Sequence, residues 1–170
     1  MVAGLTLVLA GVAIAGAMWL GAPGLCDEST VESTRFGYCV DAPGWQLTNE
    51  ATETELPYDE LIKPADATTV RIVAIQLQSG QGLDFVVEQA RTIATDDGLE
   101  VGEIVERQVA GVPAAQWDFE IEGGQVRQFV REVVFVRDGA AWRVQLQADA
   151  EEFRSRVQEF EDILSSWTFR

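Results

Sequence analysis

From Ala115 to Glu122 the chain alternates without a break, with Ala115, Trp117, Phe119 and Ile121 set against Gln116, Asp118, Glu120 and Glu122. Side chains on a β-strand point to opposite faces in turn, so this stretch is a strand with one dry face and one wet face. Gly123-Gly124 then turns the chain into a long strand from Gln125 to Val136. Asp138-Gly139, a dipeptide suited to the tightest hairpin loop, turns it back, and Trp142, Val144 and Leu146 alternate with Arg143, Gln145 and Gln147. Strands joined by connections this short must be antiparallel neighbours, because a parallel pair needs a crossover of about a dozen residues or more. An antiparallel sheet with an apolar face needs a cover, and helices elsewhere in the chain provide it, which defines an α+β domain.

The first helical stretch places Leu83, Val86, Val87, Ala90, Ile93 and Ala94 at helical spacing and ends before Asp97-Gly98. The second runs through Phe153, Val157, Phe160, Leu164 and Trp167, and Asp149 with Glu152 three residues on has the spacing of a capping box at its start. Phe36, Tyr38 and Val40 mark a half-buried strand closed by the turn Pro43-Gly44-Trp45. Thr68 to Gln78 is apolar on both faces and suits a central strand, and Val101 to Ala110 reads as another. Asn49 to Glu60, rich in acids, reads as an exposed loop or a short irregular helix. Trp117, Trp142 and Trp167 fall on apolar faces and read as core, whereas Trp45, beside a turn, is the tryptophan expected at the surface. No internal repeat or low-complexity linker divides residues 35–170.

Ahead of this domain, residues 1–25 are uncharged and mostly apolar. About 20 helical residues cross a hydrocarbon core of ~30 Å, so the run is long enough to span a membrane. Trp19 is placed for the interface, Pro23-Gly24 stops the helix, and Gly4, Gly11 and Gly16 allow close approach by a second membrane helix. The competing reading is a cleaved secretory signal, since Ala13-Ile14-Ala15 and Ala15-Gly16-Ala17 both fit a small-x-small rule, and the domain is then secreted. A basic start is missing and the apolar run exceeds a usual signal core, which favours an uncleaved anchor. Lipidation of Cys26 is disfavoured because Leu25, a large residue, directly precedes it.

Cys26 and Cys39 are the only cysteines, and an even count beside an export segment predicts one disulfide. Such a bond clips the juxtamembrane segment 26–34 onto the first strand and holds the domain at a fixed position relative to the anchor. A redox role is disfavoured by the spacing and by the acidic neighbours Asp27, Glu28 and Asp41.

The first charged residue is Asp27, so the whole formal charge of −16 lies beyond the apolar run. Such a surface repels nucleic acid and anionic lipid headgroups, and its macromolecular partners must be neutral or basic. Histidine is absent, which removes Ser-His-Asp and Cys-His mechanisms along with the commonest metal ligand. No phosphate-binding glycine loop or nucleophile elbow occurs. The acids Glu50 to Glu60 and the group Asp96, Asp97 and Glu100 lack calcium-loop spacing and read as solvated surface. On the wet sheet face, Asp118, Glu120 and Glu122 are expected to pair across strands with Arg127, Arg131 and Arg143. Those three arginines and Trp45 form the candidate docking surface. Neither a catalytic set, a cofactor, a metal site nor a small-molecule substrate is expected.

The stretch Phe36-Gly37-Tyr38-Cys39-Val40-Asp41-Ala42-Pro43-Gly44-Trp45 resembles the opening strand and turn of Mog1/PsbP-like domains. The turn Gly111-Val112-Pro113-Ala114-Ala115, the hairpin strands and the closing Phe160, Ile163, Leu164, Trp167 and Phe169 are similar to the same family's later half. The resemblance covers Arg35 to Arg170 and implies an antiparallel sheet flanked by helices, an α/β/α sandwich behind an N-terminal transmembrane helix. It implies a non-enzymatic domain that docks on larger complexes, as in photosystem accessory proteins, a nuclear-transport cofactor and actinobacterial envelope proteins. The anchor and the cysteine pair look most like the envelope members. The expected protein is thus a single-pass accessory subunit, its domain extracytoplasmic, docked on a membrane protein complex that is a candidate energy-transducing one. The alternative is an envelope protein that binds a ligand or a cation.

Overall fold

The computed structural model describes Cys26 and residues 30–48, 56–66, 68–123 and 126–170. The apolar run with Gly4, Gly11, Gly16 and Trp19 lies outside the described residues, as does the acidic stretch 49–55. Among the described residues no helix is long and apolar enough to cross a membrane.

Among the described residues twelve elements follow one another: β1 (Thr30–Ser33), β2 (Tyr38–Asp41), β3 (Gln46–Thr48), β4 (Tyr58–Ile62), β5 (Thr69–Gln76), α1 (Leu83–Asp96), β6 (Val105–Val109), β7 (Val112–Gly123), β8 (Val126–Arg137), β9 (Ala140–Asp149), α2 (Ala150–Ser165) and β10 (Thr168–Phe169). A seven-stranded sheet has the order β3-β4-β5-β9-β8-β7-β6, and a small sheet has the order β1-β2-β10. Every pairing is antiparallel. The expected α+β architecture is present, with α1 against β7 and β8 on one face and α2 against β8 and β9 on the other.

Register follows from the sequence pattern. The loop Asp138-Gly139 has φ of 51° and 74°, and Ala110-Gly111 has φ of 50° and 76°. Two successive positive φ values give the tight turn whose twist matches paired strands, and they set the ladders β8–β9 and β6–β7. Trp117, Phe119, Val130 and Val134 pack beneath α1. Phe135, Trp142, Val144 and Leu146 pack beneath α2 with Phe160, Ile163, Leu164 and Trp167. Tyr38 stacks on Trp167 at 4.5 Å between centroids, tying the small sheet to this main core. Trp117, Trp142 and Trp167 are buried, as their positions predict.

Four local expectations are corrected. Thr30–Ser33, in the segment expected only to lead into the domain, is itself a strand that pairs along the whole of β2. Tyr58 to Glu60, expected in an exposed loop, begins β4, and its acids have distant partners rather than solvent. The strand expected from Val101 starts only at Val105. There Gly102 donates its N–H to Asp118 O at 2.9 Å, so close that an added Cβ would meet that oxygen at the same distance. Lastly, Asp149 sits at the N-cap of α2 without a side-chain capping bond, its Oδ1 accepting instead from Gln128 Nε2 of the sheet at 3.3 Å.

Candidate functional site

The Cys26–Cys39 disulfide is present, with Cα atoms 6.1 Å apart. Cys39 lies on β2, the middle strand of the small sheet, flanked by β1 and by β10. The end of the chain gathers at the same place. Arg170 donates its backbone N–H to Gly37 O at 3.0 Å, pairs with Glu32 of β1, and places Nη2 3.0 Å from Cys26 Sγ. Ser166 Oγ accepts the N–H of Asp41 at 2.8 Å. The point where the apolar run enters the domain is thus bound by a covalent bond, an ion pair and two ladders.

The four residues expected to form one docking surface do not all share one face. Trp45 is buried, a correction to its expected exposure, because Glu159 of α2 accepts its Nε1–H at 3.0 Å and the Lys63 ammonium stands 5.3 Å from its ring. Lys63 also donates to Glu159 at 2.7 Å, and Arg156 pairs with the same carboxylate. Burial would push Glu159 up, but Lys63 and Arg156 hold it below the usual carboxylate range.

Arg127 and Arg131 do share a face with Asp118 and Glu120. Arg131 binds Asp118 through two bonds of 2.8 Å and reaches Glu161 of α2 at 3.4 Å. Arg127 pairs with Glu120 at 2.5 Å and is well exposed. Arg143, by contrast, lies on the opposite face, since it stands opposite Val134 in a register that points the Trp117 row toward α1. There it pairs with Glu132 at 2.5 Å, and Gln145 Nε2 donates to the same carboxylate at 2.9 Å. Glu132 is 1% exposed, so this ion pair is structural rather than a landing surface.

A second buried acid was not expected. Asp59 of β4 is fully buried and accepts the Tyr38 hydroxyl at 3.1 Å. Burial raises its pKa, outweighing the lowering by Ser33, Tyr38 and Arg35, and burial followed by the Asp59 charge raises that of Tyr38. Among the described residues no group of three or more Cys, Asp or Glu is arranged to hold a metal ion, and Asp96, Asp97 and Glu100 are exposed.

A groove of about 750 Å³ lies between α1 and the β6–β7 edge. Sequence reasoning missed it, because a groove needs α1 and β6 to be placed side by side, which depends on a strand order that spans the whole chain.

The class is therefore an antiparallel α/β/α sandwich with a stitched entry point at one end and an open groove at the sheet edge. No family model and no curated protein matches the chain in sequence. Solved structures match it in fold. CyanoP, the cyanobacterial PsbP of Synechocystis sp. PCC 6803, superposes with a TM-score of 0.61 at 14% identity over 89% of this chain and 99% of that one. LpqN of Mycobacterium tuberculosis, involved in cell envelope biogenesis, gives 0.57 at 18% identity, covering 77% and 82% respectively. The Ran-binding protein Mog1p of Saccharomyces cerevisiae gives 0.55 at 9% identity, covering 82% and 94%. This chain has the Mog1/PsbP-like fold.

Proposed function

We propose that the chain is a non-enzymatic accessory subunit of the bacterial envelope. Residues 1–25 anchor it in the cytoplasmic membrane, and the folded domain docks on a membrane protein complex at the outer face, an energy-transducing complex being one candidate. The observation that carries this reading is the Cys26–Cys39 disulfide immediately after the apolar run. Disulfides persist in oxidising compartments, and this one holds the domain at the point where a membrane segment would end. The absence of histidine and the engagement of Arg131, Arg143 and Arg156 in ion pairs within the domain agree with a role without catalysis. The same fold occurs in a protein involved in cell envelope biogenesis and in a Ran-binding protein, so it accommodates both an envelope setting and a protein partner.

The test is chemical cross-linking on intact cells, followed by gentle detergent extraction and mass spectrometry of the co-purifying proteins. The expected result is a reproducible membrane partner and protease access to the domain from outside. A solitary chain, or a mature form released into the medium with a new N-terminus near Ala17, would sink the accessory reading.

A further inference from the structure

The groove at the sheet edge has a floor of Leu83 and Val87 from α1 with Ile104 and Pro113 from the β6–β7 side. Its rim is acidic: Asp84, Glu88 and Asp96 line it from the helix and Glu106 from the strand, against one cation, Arg91. Beside it runs β6, the last strand of the seven-stranded sheet, with β7 as its neighbour on one side and, among the described residues, none on the other.

The register states which backbone groups are unused. Val109 and Val112 flank the two-residue loop and form its hydrogen-bonded pair, so Gln108 opposite Pro113 is a pair without mutual hydrogen bonds. Pro113, which has no N–H, agrees with that assignment. The N–H and C=O of Gln108, and two residues on those of Glu106, therefore point away from β7 toward the open edge. Both side chains are exposed.

We propose that this edge and groove together accept an extended polypeptide segment that adds as a strand beside β6, with basic residues facing the groove and apolar residues facing the other way. The proposal deepens the docking reading above, on which it rests, by naming the surface and the chemistry of the partner.

Three features select this occupant. Alternate side chains of an added strand stand about 6.7 Å apart, and Asp84 and Glu88, one helical turn apart, are separated by about 6 Å along the helix. A basic side chain at every second position can therefore meet successive acids, its methylene stem lying on the apolar floor while its charge reaches the rim. On the opposite face of the edge, Val105 is 50% exposed, more than Phe85, the other exposed large hydrophobic among the described residues, and an apolar neighbour on an added strand would cover it. A second copy of this chain is the poorer occupant, because a formal charge of −16 on each copy makes them repel.

The full-length chain in detergent is titrated with a fluorescein-labelled Arg-Val-Arg-Val-Arg-Val peptide and binding is followed by anisotropy. Saturable binding is expected. Glu88→Arg and Glu106→Arg should each weaken it about fivefold to tenfold, and added salt should weaken it further. Gln108→Pro removes an outward N–H at an edge position that tolerates proline, and binding should be lost while the circular dichroism spectrum is unchanged. If that variant does not fold, the charge reversals decide, compared with Glu100→Arg, an exposed acid outside the groove whose reversal should leave binding unchanged. Equal weakening by Glu100→Arg, equal binding of a Glu-Val-Glu-Val-Glu-Val peptide, or self-association of the chain abolished by Gln108→Pro would each overturn the proposal. Loss of the peptide result leaves the cross-linking result standing, and a missing membrane partner beside intact peptide binding removes only the membrane reading.

Discussion

Replacing Arg143 by methionine isolates the energetics of the buried acid beneath α1. The Glu132 side chain is 2% exposed and that of Arg143 is 13% exposed, so the pair is poorly screened by solvent. Removing one partner of such a pair leaves an uncompensated charge, at a cost of about 3–5 kcal/mol. Gln145 keeps its 2.9 Å bond to the Glu132 carboxylate, which places Arg143→Met near the lower end, at about 3 kcal/mol. That is a large share of the roughly 5–15 kcal/mol that holds a domain together. Pairing it with Glu132→Gln removes both charges, keeps the volume and leaves Gln145 an acceptor, so the double variant should return to within about 1 kcal/mol of the parent. Urea unfolding followed by tryptophan fluorescence measures both, with an unchanged denaturant slope as the control for two-state behaviour. The reasoning fails if the single change costs under about 1 kcal/mol, or if the double variant is as unstable as the single one.

Two further outcomes are expected. Because the cysteines are 13 positions apart, replacing Cys26 by serine and Cys39 by alanine should cost about 3 kcal/mol through the freed unfolded chain, a fall of roughly 10 °C in Tm. Reductant should reproduce that fall in the parent and leave the variant unmoved; a variant melting with the parent would show that the bond stabilises nothing. Asp59 has a folded pKa raised by burial, so the folded chain retains a proton there that the unfolded chain has lost. Its contribution is complete below the ordinary carboxylate range and is lost as pH rises through the raised value. Melting curves from pH 4 upward should therefore fall more steeply for the parent than for Asp59→Asn, and parallel curves would refute the assignment.

The parts of the fold legible in the sequence were those whose information is local. Asp138-Gly139 sets its own hairpin, the 115–122 alternation marks its own faces, and α1 ends beside Asp97-Gly98 as its spacing requires. What escaped depends on partners far away. The run Tyr58-Asp59-Glu60 looks solvated because two of its three residues are acids, yet Tyr38 and Arg71 answer those acids from β2 and β5. Trp45 looks exposed beside its turn until α2, more than a hundred residues on, brings Glu159 against it. The three arginines expected on one face are divided between two for a subtler reason. Parity within one strand is readable, but which face a neighbouring strand's residues share depends on register, and register put Arg143 on the side opposite Arg131.

Register also determines how the domain bears force. Cys39 sits between β1 and β10, so a pull applied at Cys26 enters through the disulfide into β2, the middle strand, bypassing the outer strand β1. With the bond intact, extracting β2 means shearing two ladders at once and dragging Tyr38 off its stack with Trp167. With the bond reduced, the same pull falls first on β1, which among the described residues has a single ladder, to β2. The oxidation state of a single bond thus changes the way the domain yields under load.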